Sequence, residues 1–348
     1  MTESLYSMEE CERVARRASL RYVKDTMPGI TRQKKGDEFI YFRDGKPLSD
    51  ENVLARIKKL AIPPAYQDVW ICPYENGHIQ ATGRDKNNRK QYRYHPLWFK
   101  VRNQQKFTAM IEFGQSLPLI KRHISRELNK PAQLNRAQVI CAIIYLLYHF
   151  NVRVGNTAYA RQNKSYGLTT LRKKHLSLKR NKAILNFRGK NAKLWNIILS
   201  DKRIIKILKK CEEISGYELF KYIDKNNSLT IVTSQDVNFY LKSITNYPFT
   251  AKDFRTWIAC RETLCRLIRC LPCEETSDPF NDTIKQVSKL MGHTPAICQK
   301  NYIHPDIILS WKNNNLRDWV DKNRDKIARL TEDKILLLWL KSNKKRTK

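Results

Sequence analysis

Apolar positions follow two different rhythms along the chain. Up to about residue 96 they come in short runs broken by turn dipeptides. Residues 8–26 read as a basic helix stopped by Pro28-Gly29. EFIYFRDGKPL then predicts two short strands around Asp44-Gly45, a hairpin turn pair. Residues 51–60 have helical spacing and end before Pro63-Pro64. QDVWICPYENGHIQATG predicts strand, Asn76-Gly77 turn, strand, and a polar turn from Arg84 to Asn88 leads to a third strand, Arg89 to His95. After Pro96 the helical period dominates, with candidate helices at 97–127, 134–150, 156–162, 200–213, 234–246, 251–270, 281–291, 314–329 and 332–342. AILNFRG at 183–189 is the exception: its Gly189-Lys190-Asn191 turns toward a second strand near KLWNII. The predicted fold is an α+β, strand-rich N-terminal domain (1–100) followed by a mainly α-helical domain (101–348) with one small β-sheet. The link falls near 96–103.

Charge changes this picture most. The 348 residues hold 66 Lys+Arg against 33 Asp+Glu, a net of +33. The excess is uneven: +6 over residues 1–100 and +27 over the rest. Such a field draws polyanions, and nucleic acid is the foremost one, because each neutralised phosphate releases a condensed counterion. Two modules on one basic chain suggest a clamp around a DNA cylinder. No apolar stretch approaches the roughly 20 residues that span a bilayer. The polar start, MTESLYSMEECERVARR, lacks a signal-peptide core. These features predict a soluble cytoplasmic protein, nucleoid-associated in a bacterium. Nine cysteines, an odd count, do not suggest a disulfide framework. The lone CxxC of Cys270 and Cys273 lacks two further ligands at zinc spacing and reads as helix-end packing.

There is no GxxxxGK[ST] for ATP, no HExxH, and no carboxylate cluster suited to two-metal chemistry. Phosphoryl transfer without these needs a protein nucleophile, cations for the developing charge and a proton donor for the leaving oxygen. Turn-bounded Tyr, Arg, Lys and His are the residues to seek. Arg153 follows an apolar helix beside Gly155. Lys190 sits at the expected hairpin tip. Lys252 and Arg255 open an apolar helix. His293 lies in Gly292-His293-Thr294-Pro295 between two helices, nine residues before Tyr302. Each has a plainer reading alone: Arg153 as a C-cap cation, Lys190 as a solvated turn residue, Arg255 paired with Asp253 or Glu262, His293 as a cap, Tyr302 as core. Their joint occurrence in one order weighs against accident.

That order, carried by NVRVGN, FRGKN, AKDFRTW and MGHTPAICQKNYIHP, resembles the type IB topoisomerases of the poxvirus-like and bacterial branch. The resemblance extends through ARIKKLAIPPAYQDVWICPYENGHIQATGRDKNNRKQYRYHP and SYGLTTLRKKHL, most of the chain. It implies a topoisomerase IB/tyrosine recombinase-like fold. It also implies relaxation of supercoiled duplex DNA by a monomer, without ATP, metal or cofactor. Tyr302 would be the nucleophile, Arg153, Arg255 and His293 would hold the phosphate oxygens, and Lys190 would protonate the leaving oxygen with Lys252 as helper. Arg89, Tyr92, Tyr94 and Tyr159 match DNA-contacting positions, and KQYRY also reads as a half-buried edge strand. The chain departs from the poxvirus pattern in two places. Cys298-Gln299-Lys300-Asn301 replaces the Ser-Lys pair before the tyrosine, and Asn191 stands where an acidic residue is found.

A tyrosine recombinase shares this chemistry, but usually carries HxxR where this chain has Lys252 in KDFR, and a helical rather than strand-rich N-terminal module. A DNA-binding protein without catalysis would not need the full set. An RNA-binding protein would be expected to show an RNP-type or KH-type motif, and none stands out.

Overall fold

The computed structural model describes residues 8–131, 134–271 and 278–344. They divide into two compact units, Met1–Thr108 and Ala109–Lys348.

The first unit is built on one antiparallel sheet. Helix α1 (Met8–Arg17) precedes β1 (Ile30–Lys35), β2 (Glu38–Arg43), β3 (Lys46–Pro47), α2 (Glu51–Lys59), β4 (Gln67–Ile71), β5 (Ile79–Arg84), β6 (Lys90–Tyr94) and α3 (Pro96–Thr108). The strand order is β3-β2-β1-β4-β5-β6, so β6 is an edge. The Asp44-Gly45 turn forms as expected, with both residues at positive φ (50° and 75°). The strand alternation of β4 explains how the sheet is covered. Val69 and Ile71 join Ile30, Ile57 and Ala81 in a core that includes α2, while Trp70 and Cys72 pack with Val23. The structure differs from the expectations in two places. The first helix ends at Arg17 rather than 26, and ITRQKK, which lies between the predicted elements, is β1. Its polar residues hid a strand whose partners on both sides come from β2 and β4.

The second unit is mainly helical. It runs α4 (Met110–Asn129), α5 (Arg136–Phe150), α6 (Thr157–Asn163), β7 (Leu176–Lys179), β8 (Lys182–Arg188), β9 (Leu194–Leu199), α7 (Lys202–Glu213), β10 (Lys221–Ile223) and β11 (Leu229–Ile231). Then come α8 (Ser234–Thr245), α9 (Ala251–Arg269), α10 (Pro279–Met291), α11 (Pro295–Tyr302), α12 (Pro305–Lys312), α13 (Asn315–Ala328) and α14 (Glu332–Lys344). Helices α5 and α9 form the centre. Residues 139–144 of α5 are all fully buried, as are Trp257 to Cys260 of α9. A helix apolar on nearly every side, as α5 is, belongs inside. The expected helix 97–127 is two, broken at Ala109. The expected single small sheet is two: β7-β8-β9 and the hairpin β10-β11. Helix α12 was also not foreseen. Cys273 and the last four residues of the basic tail lie outside the described residues, and Cys270 is half-buried at the end of α9.

Candidate active site

The C-terminus of α10 is where the chemistry-bearing residues of the second unit meet. A helix leaves its last carbonyls without intrahelical donors. Gly292, at φ 65°, turns the chain so that its own N–H and that of His293 reach back to Lys289 O (3.3 Å) and Ser288 O (2.9 Å). The remaining acceptors are met by cations. Lys193 Nζ donates to Lys289 O (2.9 Å) and Leu290 O (3.3 Å). Arg255 Nη2 donates to Met291 O (2.6 Å), and Arg153 Nη2 to Gly292 O (3.3 Å). The negative end of a helix dipole favours positive charge, which offsets part of the repulsion among these groups.

Local structure explains why each arrives there. Helix α5 ends at Phe150, and Asn151 takes the left-handed conformation (φ 57°), which leads the chain out into Arg153. The Arg153 loop is propped from behind. Leu168 N–H donates to Arg153 O (2.9 Å), and Thr169 donates to Val154 O from both its N–H (2.7 Å) and its hydroxyl (2.9 Å). Gly155 (φ 108°) faces Gly167 so closely that a Cβ on Gly167 would stand 2.5 Å from Gly155 backbone and 2.6 Å from Arg153 O. Arg255 is set by the Thr250–Asp253 capping box that starts α9. It is buried, 4% exposed, and its Nη1 donates to Asn151 O. Asp253 accepts from Thr250, and Glu262 from Arg261 and Arg266; Arg255 is held by backbone carbonyls, His293 and Tyr302.

His293 lies between the two arginines. Arg153 Nη2 and Arg255 Nη2 approach its Nε2 at 3.2 and 3.1 Å. A guanidinium only donates, so Nε2 is the accepting nitrogen and the proton sits on Nδ1. Burial, then the charges of Arg153, Arg255, Lys190 and Lys193, push the imidazole down to about 3, so it is neutral at pH 7. Burial and Arg153 likewise push Arg255 down to about 10. The Tyr302 ring lies 4.5 Å from the His293 ring, and the Arg255 guanidinium is 5.6 Å from the Tyr302 ring centre. The tyrosine ends α11, a helix capped by Thr294 with Pro295 at its first position.

The other expected residues fall at different distances from this group. Lys190 is exposed in the β8–β9 loop, near enough to His293 for its charge to depress the imidazole. Tyr159, half-buried in α6, is near enough to Arg153 to act on its charge. Lys252 is exposed in the first turn of α9, three residues before Arg255. In the first unit, Tyr92 and Tyr94 are 44% and 47% exposed on β6 and stack at 5.7 Å, with Lys90 over the Tyr92 ring. Arg89 pairs with Asp85 (2.7 Å).

Two contributors escaped the sequence reading. Lys193 was passed over in favour of its neighbour in the same loop. Cys260 sits behind Tyr302: its thiol donates to Tyr302 O (3.1 Å) and accepts from His304 N–H (3.2 Å). Only α9 periodicity, which puts Cys260 on a buried face, hinted at it. Among the described residues no group of three or more His, Cys, Asp or Glu is placed to hold a metal ion, and no helix is long and apolar enough to cross a membrane.

Comparison with known proteins places these features in context. Residues 88–330 match the family model for the catalytic core of eukaryotic DNA topoisomerase I, and residues 38–85 match that for the N-terminal domain of bacterial DNA topoisomerase IB. DNA topoisomerase 1B of Acanthamoeba polyphaga mimivirus is 33% identical over 303 residues, covering 84% of this chain and 90% of that protein. DNA topoisomerase 1B of Vaccinia virus (strain Copenhagen) is 24% identical over 307 residues, covering 81% of this chain and 93% of that protein. Among solved structures, the XerH site-specific recombinase bound to difH substrate aligns with a TM-score of 0.34 and 16% identity. That alignment covers 55% of this chain and 49% of that chain, too loose a likeness to carry an argument.

Proposed function

The chain belongs to the type IB DNA topoisomerases, and on that premise we propose that it relaxes supercoiled duplex DNA through a covalent 3′-phosphotyrosine intermediate formed by Tyr302. The observation that carries this reading is the convergence of Arg153, Arg255, His293 and Tyr302, from separate stretches of chain, around one helix end.

Tyr302 Oη attacks phosphorus, the Oη–P bond forms and the P–O5′ bond breaks. The phenolic proton goes to water, and a proton from Lys190 goes to the leaving 5′ oxygen, with Lys252 assisting. Arg153 and Arg255 donate to the non-bridging oxygens, where guanidinium geometry suits phosphate. His293 adds a neutral N–H donor to the same charge. Resealing reverses the steps. The phosphotyrosine retains the energy of the phosphodiester, so ATP is not consumed, and the cations supply the charge stabilisation that a metal otherwise would. Arg89, Tyr92, Tyr94 and Tyr159 contact DNA, so that both the 1–100 and the 101–348 domain bind it. The active species is a monomer.

Negatively supercoiled plasmid incubated with the protein in EDTA without ATP is expected to relax. SDS is expected to trap a 3′-linked adduct, and Tyr302→Phe to yield neither. If the Phe variant relaxes plasmid as wild type does, Tyr302 is not the nucleophile. If wild type only shifts the DNA on the gel, the chain needs a specific site or does not cut.

A further inference from the structure

Lys190 is exposed, yet its loop is not loose. Gly189 N–H donates to Lys193 O (2.8 Å), closing the β8–β9 turn. Gly189 itself lies so close to Trp195 that a Cβ there would stand 2.7 Å from the indole nitrogen. The Trp195 ring is parallel to Phe187 of β8, and Lys193 Nζ sits 4.1 Å from the Trp195 ring centre. From that seat Lys193 reaches out of the hairpin to Lys289 O and Leu290 O of α10. Its side chain also lies against Gly292, the residue before His293: a Cβ added to Gly292 would be 2.9 Å from Lys193 Cδ. Arg153 Nη1 would lie 3.8 Å from the same Cβ.

We propose that Lys193 is a positioning residue that bolts the β8–β9 hairpin to the C-terminus of α10 and so places Lys190 at the leaving oxygen. Lys193 is three residues from Lys190, at the other end of the same turn. Its ammonium lies over Trp195 of the hairpin and at the same time donates to carbonyls of the helix that presents His293. No other described contact in the site ties the hairpin to that helix end through a side chain from the loop itself. Burial, then the charges of Arg255 and Arg153, lower the Lys193 ammonium, yet it donates to two carbonyls of α10, which suits an anchor more than a donor to substrate. Misplacing a catalytic group by about 1 Å costs on the order of 10²-fold in rate.

The inference rests on Lys190 being the proton donor, and the experiment separates the two. Covalent complex formation is followed in single turnover on a short duplex with an ordinary phosphodiester. It is then repeated on a duplex carrying a bridging 5′ sulfur, which leaves as a thiolate without needing a proton. Lys190→Ala and Lys193→Met are each expected to slow cleavage of the ordinary duplex, Lys193→Met by about 10- to 100-fold, and each to be restored by the sulfur substrate. Lys193→Arg, which keeps a cation and donors, is expected to be faster than Lys193→Met. The double variant is expected to be no slower than Lys190→Ala alone. If Lys190→Ala is rescued but Lys193→Met is not, or if the two losses multiply, the positioning role is wrong while the acid stands. Full activity of Lys193→Met overturns it too. If Lys190→Ala is not rescued, the acid assignment fails and this inference falls with it.

Discussion

The electrostatics of His293 can be tested at the level of one side chain. Its ordinary value of 6.5 is lowered to about 3 by burial and by Arg153, Arg255, Lys190 and Lys193. As pH falls below about 6.5 the unfolded chain takes up a proton that the folded imidazole refuses. Stability is therefore lost on acidification through the window from about 6.5 to 3, and no such loss arises above it. His175, in the same unit and lowered to about 4, adds a similar loss. Melting temperatures of DNA-free protein at pH 6.5 and 4.5 are expected to differ less in His293→Gln than in wild type. An equal difference would mean that His293 is not held neutral. That His293, Arg153, Arg255 and Tyr302 belong together was legible in the sequence through their joint order and its resemblance to the type IB topoisomerases, since each alone had a plainer reading. Lys193 was not, since nothing in GKNAK distinguishes an anchoring lysine from a reaching one. Only the fold of the hairpin onto α10 separates them. Cys260 was illegible for another reason: a thiol on a buried helix face looks like any small apolar residue until the backbone opposite it is known.

Elements, rather than residues, hold the arginines in place. The Arg153 loop depends on the Gly155–Gly167 approach, where two backbones touch with no room for a methyl group. Gly167→Ala is expected to destabilise the protein by about 1–3 kcal/mol through overpacking and to slow adduct formation more than it weakens DNA binding. Unchanged adduct kinetics would show that the 167–171 segment does not position Arg153. Helix α14 is tied to α4, α5 and α9 through Asp333, which accepts from Lys121, Tyr148, Trp257 and Arg261. Burial alone would raise this carboxyl, but Lys121, Tyr148 and Trp257 outweigh it and hold it below the usual carboxylate range. Its contribution is present above the ordinary carboxylate value and is lost as pH falls through the depressed one. Asp333→Ala leaves buried donors unpaired and is expected to cost about 3 kcal/mol, read as a lower denaturant midpoint. A loss under about 0.5 kcal/mol would show that the cluster is dispensable. At this scale the sequence was most legible where periodicity was strong, as in α5 and α9. It was least legible where strands are polar or very short. The strand ITRQKK alternates poorly, and the β10–β11 pair is only three residues long on each side, so neither has a local signature.

Charge governs how the molecule as a whole meets DNA. With a net of +33, most affinity for DNA should come from phosphates and the ions they release. If about 6–10 phosphates are contacted, affinity for a non-specific duplex is expected to fall about 10³- to 10⁵-fold between 50 and 200 mM salt. Fluorescence anisotropy across a salt series measures the slope directly, and a shallow one would count against a basic surface tracking the backbone. The +6 and +27 split of the charge assigns most of that slope to residues 101–348.

The carbonyl fringe of α10 gives the centre an unusual relation to its ligand. In the DNA-free protein Arg153 Nη2 and both Nη groups of Arg255 already have acceptors at Gly292, Asn151 and Met291, while the buried Arg255 Nε has none. A scissile phosphate would therefore be received largely by swapping partners at the Nη groups, with oxygen replacing oxygen, and only at Arg255 Nε by filling an empty donor. Such a swap is nearly neutral for a ground-state phosphodiester, and becomes favourable as a fifth ligand on phosphorus concentrates negative charge. The grip of the centre would then tighten with the progress of the reaction, while residence on DNA is governed by the rest of the surface.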